Sequence, residues 1–356
     1  MQLVEREVEF ESQGVRCRGL FVRPEGASAA PLVVLSHGLG GVYEMRLDAF
    51  ARRFARAGYA ALTFDYRYFG RSDGMPRHLL EHAEQQRDID AAIDFGKTLE
   101  GVDARRVVLW GTSLAGGHMI DVSSRRDDLA ATIIQAPFTD GVASGLALPL
   151  RSALGAALFI VADLAARLFG LRRVLIPLAA PPGLPALMTK PDVVADVLKL
   201  MPQGSRMSGR LSALYQRWAA RSFALSDNVS TSDLPEPCDV SPVIGSVILP
   251  SGTALVNGVS ASFGLEILFW RPGKNLKHVR APILVCVCEN DSVAPAKSTV
   301  AHARRAPRAE LKLYPYNHFV IYRGEPFERV FADQLAFLQR VVPLPGTRDA
   351  RAAQTT

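Results

Sequence analysis

The stretch Arg106-Val107-Val108-Leu109-Trp110-Gly111-Thr112-Ser113-Leu114-Ala115-Gly116-Gly117-His118 decides how the chain is read. Its apolar run predicts a buried strand, and the Gly-x-Ser-x-Ala-Gly-Gly that follows predicts a sharp turn into a helix. A serine held at such a turn lifts its hydroxyl above a sheet. Its neighbours are small enough for a base and a substrate carbonyl to approach. Ala115 stands where the pattern has its second glycine, and Gly116 and Gly117 still permit close packing of helix on sheet.

Working outward, residues 31–36 form a continuous apolar run of the kind a doubly covered parallel strand shows. It ends in His37-Gly38-Leu39-Gly40-Gly41. Segments 4–10 and 15–22 alternate around Gly14 and predict an antiparallel pair at a sheet edge. A helix is expected from about 43 to 57, closed by Gly58. Strand 60–64 follows, ending in Asp65-Tyr66-Arg67, and a helix over 81–99 leads into the serine turn. Downstream come strands 131–135, 282–288 and 310–314 and helices 296–304 and 327–341. The alternation predicts an α/β protein with a mostly parallel, doubly wound sheet.

Between 138 and 270 this regularity stops. Helical patches at 146–168, 192–201 and 211–220, separated by breakers such as Pro181-Pro182-Gly183, predict an inserted, mainly helical cap over the strand ends. The expected organisation is a core of 1–137 and 271–342, a cap of 138–270 and a disordered tail of 343–356. No lysine or arginine occurs between Arg221 and Arg271. That break reads either as a flexible cap insertion over about 222–262 or as an intervening sequence retained in the gene.

A serine hydroxyl needs a base to take its proton and a third group to orient that base. His318, in the loop after strand 310–314, is the candidate base. Asp291, just past strand 282–288, is the candidate orienting acid. The chain order serine, aspartate, histidine is the one expected for strand-end loops in such a sheet. An oxyanion requires two backbone N–H groups, and Leu114 and Leu39 are the candidate donors. His37 and Asp65-Tyr66-Arg67 are read as loop braces. His118 lies too far round its helix from Ser113 to act as the base. His78-Leu79-Leu80-Glu81-His82 fits H-x-x-E-H, but at a helix start with no third ligand, so no metal is expected.

Composition narrows the partners. The net charge of +6 comes mainly from scattered arginines, with no basic stripe to bind nucleic acid. Cys17, Cys238, Cys286 and Cys288 show no zinc spacing and read as buried thiols in a reducing compartment. No secretory segment is visible at the N-terminus, which makes a cytoplasmic location the expectation, and Asn228-Val229-Ser230 an idle glycosylation signal. The most apolar window, 153–162, is too short to span a bilayer.

With these residues in place the chain resembles the α/β-hydrolase superfamily, and more narrowly its dienelactone-hydrolase-like and X-prolyl-dipeptidyl-peptidase-like group. The resemblance rests on His37-Gly38-Leu39-Gly40-Gly41, Asp65-Tyr66-Arg67, the Gly111–Gly117 turn, Asp291 and His318-Phe319, and covers about 1–137 and 264–342. It implies Ser113, Asp291 and His318 as a triad, Leu39 and Leu114 as oxyanion donors, and no cofactor. The implied activity is hydrolysis of a carboxylic ester of a small or medium, fairly apolar substrate through an acyl-enzyme. The alternative is an acyltransferase or thioesterase using the same triad. A peptidase or a non-catalytic binding protein is less favoured, and the oligomeric state is open, a homodimer included.

Overall fold

Strands β1 (Leu3–Ser12) and β2 (Val15–Pro24) pair antiparallel along their whole length, turning at Gln13 and Gly14, both at positive φ. The computed structural model describes residues 2–180, 184–190, 193–208, 229–230 and 246–345. Strand β3 (Ala30–Ser36) is buried at every position, as a strand covered on both faces must be. Successive side chains of a strand point to opposite faces. Leu32 and Val34 therefore enter one core, Val33 and Leu35 the other.

Helix α1 (Leu47–Arg56) buries Leu47, Phe50, Ala51, Phe54 and Ala55, the i, i+3, i+4 stripe of an amphipathic helix. It begins at Leu47 and not at the expected 43, because the Tyr43 N–H is drawn to Asp65 Oδ1 at 2.8 Å and Arg46 turns at φ +79°. Then come β4 (Ala60–Phe64), α2 (His82–Gly96), β5 (Val102–Thr112), α3 (Leu114–Arg125) and β6 (Leu129–Gln135).

Residues 138–270 interrupt the alternation. They hold α4 (Gly141–Leu146), α5 (Leu150–Leu168), β7 (Leu175–Pro177), α6 (Val193–Leu198), β8 (Ser205–Ser208), β9 (Val229–Ser230), β10 (Ser246–Ile248), β11 (Ala254–Val256), β12 (Gly258–Ser260) and α7 (Phe263–Phe269). The expected helix at 211–220 and Cys238 lie outside the described residues, as does most of 222–245. Residues 246–262, expected to be flexible, instead form β10, β11 and β12 and bury Val247, Leu249, Val256, Val259 and Ala261. These strands pair into two small sheets, β11-β10-β8-β9 and β12-β7, which the helical reading of the insertion did not foresee. Asp163 ties the region together. Its Oδ1 accepts from Arg173 Nε and Val174 N, both at 2.8 Å, and its Oδ2 from Arg173 Nη2 at 2.7 Å and Ser262 N at 2.9 Å. Burial works to raise its pKa, but these donors hold it at about 2.

After a 3-10 turn at Pro272–His278 the alternation resumes with β13 (Ile283–Cys288), α8 (Ala296–Ala303), β14 (Ala309–Tyr314), a 3-10 turn at Val320–Tyr322 and α9 (Gly324–Val341). Among the described residues the central sheet runs β1-β2-β4-β3-β5-β6-β13-β14, parallel from β4 onward. Pro343, expected to open the tail, still packs, its carbonyl accepting from Arg106 Nη1 at 2.9 Å. Cys17, Cys286 and Cys288 are buried free thiols. No described helix is long and apolar enough to cross a membrane.

Candidate active site

The site assembles where β3, β5, β13 and β14 end. Between β5 and α3, Ser113 sits at φ +56°, a region that residues with a side chain rarely enter. Three backbone bonds hold it there. Its N–H donates to Gln135 O at 3.0 Å, and its carbonyl accepts from Gly116 N and Phe138 N, each at 2.9 Å. Gly111 leaves no alternative at the turn, since a Cβ there would lie 2.7 Å from Ala115 O. Ala115, the departure from the pattern, is fully buried.

The two remaining candidates converge on this serine. The His318 ring has 2% of its side chain exposed, as does Asp291. His318 Nδ1 lies 2.7 Å from Asp291 Oδ2, and His318 Nε2 lies 3.0 Å from Ser113 Oγ. An ionised carboxylate only accepts, so Nδ1 carries the proton and Nε2 presents its lone pair to the serine O–H. The other Asp291 oxygen accepts from Val293 N at 2.8 Å and Ala294 N at 2.7 Å, so the carboxylate is fixed from both sides. Asn317 Oδ1 accepts from Phe319 N and Val320 N and shapes the histidine loop. Tyr322 OH bonds Thr112 Oγ1, joining that loop to the serine turn.

The glycine-rich loop after β3 faces the serine. A Cβ on Gly38 would fall 2.9 Å from Ser113 Cβ, so only glycine lets this backbone approach so closely. Leu39 lies in this loop and Leu114 directly follows the serine at the start of α3. Among the described residues neither N–H has a hydrogen-bond partner within the chain. His37 braces the loop, Nδ1–H donating to Gly38 O at 2.9 Å, and burial pushes its pKa down to about 4, leaving the ring neutral. Asp65 and Arg67 also brace: Asp65 accepts from Tyr43 N and Arg71 N, and Arg67 forms a buried pair with Asp88 at 2.7 Å.

Ser113 and His318 open on a cavity of about 140 Å³. Its far wall comes from the insertion, with Leu178, Met188, Val197, Met201, Val247 and Leu255. None of the described lining residues is Asp, Glu, Lys or Arg. These wall residues carry no motif of their own; the helical patch expected at 192–201 is the one sequence feature that coincides with them. His118 is buried against Gln85 and Trp270, away from the serine. His78 meets Phe69 edge to face, while His82 bonds Glu266 and stacks on Trp270. Among the described residues no group of three His, Cys, Asp or Glu side chains is placed to hold a metal.

A family model described as serine aminopeptidase, S33, matches residues 27–196. The quorum-quenching protein AidA of Acinetobacter baumannii (strain MDR-ZJ06) is 40% identical over 338 residues, 95% of each chain. The solved α/β hydrolase GrgF from Penicillium sp. sh18 superposes with a TM-score of 0.68 at 19% identity, over 95% of this chain and 99% of that one. The chain belongs to the α/β-hydrolase family. A further likeness is local. The thiohydrolase aneE of Aspergillus aculeatus is 34% identical over 115 residues, 32% of this chain and 36% of its own.

Proposed function

We propose that this hydrolase cleaves an ester or thioester of a small, apolar acyl compound through an acyl-enzyme on Ser113. The observation that carries this reading is the Ser113–His318–Asp291 hydrogen-bond chain opening on a wall without charged side chains. Ser113 Oγ attacks the carbonyl carbon while its proton passes to His318 Nε2, and Asp291 holds the resulting imidazolium. The Leu39 and Leu114 N–H groups take the oxyanion. Collapse expels the alcohol or thiol, which leaves with the proton from His318. Water then repeats the sequence, and the acid departs. The 138–270 insertion serves as the cap that shapes the acyl site. Since AidA is named for quorum quenching, the substrate class extends to a diffusible signal with one hydrolysable acyl bond. Three buried thiols are in keeping with a reducing, cytoplasmic setting.

Turnover of p-nitrophenyl esters and acyl N-acetylcysteamine thioesters, from acetyl to dodecanoyl, tests the reading. The expected result is a kcat/KM that rises with chain length and then falls as the cavity fills. A flat profile, or turnover unchanged in Ser113→Ala, contradicts it. The apolar wall also favours a second reading, acyl transfer to an alcohol in place of water. Excess alcohol in the same assay then yields a new ester, whereas free acid alone argues against transfer. A peptidase reading is weaker, because no described carboxylate lines the cavity to hold an amino terminus.

A further inference from the structure

Helix α5 presents its faces the wrong way round for a helix bordered by water. Its inner face is small or polar, with Ser152, Ala156, Asp163 and Ala166 buried. Half a turn away, Leu150, Leu154, Leu158, Val161 and Leu168 are 60% to 79% exposed. Their spacing of four, four, three and seven keeps them on one stripe. A surface helix ordinarily turns its polar face outward. Leu146 precedes the stripe and Phe169 and Leu171 follow it, all exposed, and Phe269 of α7, which packs on α5, is exposed as well.

We propose that this face is the two-fold interface between two copies of this chain. The size of the patch is the first ground. It offers on the order of 1,000 Å² of apolar surface, beyond the roughly 300–600 Å² of a monomer's largest patch. Each partner in a standard stable interface buries about 800 Å², so the patch suffices for one. Self-complementarity is the second ground. A nearly straight apolar stripe on a helix about 28 Å long meets its own two-fold copy like against like. The only exposed charges on α5, Arg151 and Arg167, sit near its two ends on opposite flanks. That leaves an apolar centre with an arginine rim, the usual anatomy of a protein interface. A lipid surface fits less well. Helices that lie in a bilayer interface set tryptophan, phenylalanine and leucine below and a strongly cationic face above. The stripe has no tryptophan, and the opposite face of α5 is locked to protein through Asp163, Arg173 and Ser262.

The same anchor gives pairing a consequence for the rest of the insertion. Asp163 holds Val174, beside β7, and β7 runs directly into Leu178 of the cavity wall. Two copies joined along α5 therefore fix the side of the insertion that carries this wall.

Sedimentation of the full chain at about 10 μM, wild type against Leu154→Glu/Leu158→Glu, tests the interface. The wild type is expected at about 77 kDa, twice its 38.6 kDa mass, and the variant at 38.6 kDa. The dimer dissociation constant should rise about 100-fold or more, with the circular dichroism melt and labelling of Ser113 preserved. If the double variant does not fold, Val161→Lys takes its place with the same expected shift. A monomeric wild type, or a dimer unaffected by both variants, overturns the proposal. So does a monomer that sediments with phosphatidylglycerol vesicles through α5, or one whose residues 150–168 resist hydrogen exchange because another part of the chain covers them.

Discussion

At Ser113 the backbone is held at a φ that costs on the order of 1–3 kcal/mol for a residue with a side chain. The reward is geometric: the hydroxyl stands clear of the sheet, 3.0 Å from His318 Nε2. In the proposed mechanism Asp291, 2.7 Å from His318 Nδ1, keeps that imidazole in the tautomer that accepts the serine proton. In Asp291→Asn the amide can donate to Nδ1, which places the ring proton on Nε2, facing the serine. Steady-state kinetics should then show kcat reduced by about 10⁴-fold with the fold intact; a loss below tenfold contradicts the assigned role. Gly38 makes a second, independent prediction. A methyl group 2.9 Å from Ser113 Cβ pushes the loop away from the serine, so Gly38→Ala should lower kcat by about 100-fold and leave urea unfolding nearly unchanged. At this scale the sequence was highly legible where chemistry restricts residue choice. Ser113 and Asp291 each follow a strand whose apolar run marks its end, and His318 lies in the loop after the short, partly charged strand Ala309–Tyr314. Tyr322, whose hydroxyl reaches Thr112, carried no such mark because a tyrosine in a loop has many uses.

Among the elements, long strands and helices of the core announce themselves, and the insertion does not. β3 and β13 are apolar throughout because both faces are covered. β10, β11 and β12 have three residues each, too short for an alternating pattern to register, and they are interleaved with Ser, Gly and Thr. Their places depend on contacts distant in sequence, Gly258–Ser260 pairing with Leu175–Pro177. Asp163 is the pin of this region, and its single substitution separates insertion from core. In Asp163→Asn one acceptor oxygen and the charge facing Arg173 are lost. Hydrogen exchange should accelerate about tenfold or more across 150–175 while the β3 and β5 amides stay protected. KM should rise several-fold with kcat held, since the acyl wall loosens and the hydrogen-bonded chain at Ser113 does not. Equal acceleration in β3 and β5 contradicts the separation.

For the whole molecule, acid stability follows from its buried titratable groups. His37 and His118 are buried neutral, with pKa values pushed down to about 4 and about 3 by desolvation. Below about pH 6.5 the unfolded chain protonates both while the folded one does not, so the stability they contribute is lost as pH falls toward those values. Asp65 acts oppositely, its pKa raised to about 7 by burial: what it contributes is present below its unfolded pKa and lost as pH rises through 7. His78, also pushed down to about 4 by burial, acts with the two histidines, and burial raises Asp88 as it does Asp65; three groups against two leave a net loss of about 1 kcal/mol per pH unit between roughly 6 and 4.5. Urea midpoints should fall across that window, and His118→Gln should flatten the slope; a slope unchanged by the substitution contradicts it. The sheet order, with every candidate residue beyond the carboxyl end of a parallel strand, was readable because strand and helix alternate with short connections. The cavity was not, since its wall comes from residues 178–201 and 246–257, which meet only after folding. The central claim is that Ser113 is an activated nucleophile. Intact-mass analysis after exposure to a fluorophosphonate tests it most directly. One adduct on Ser113 of the wild type and none on Ser113→Ala is the predicted result; a folded wild type that stays unlabelled, or carries the adduct elsewhere, contradicts it.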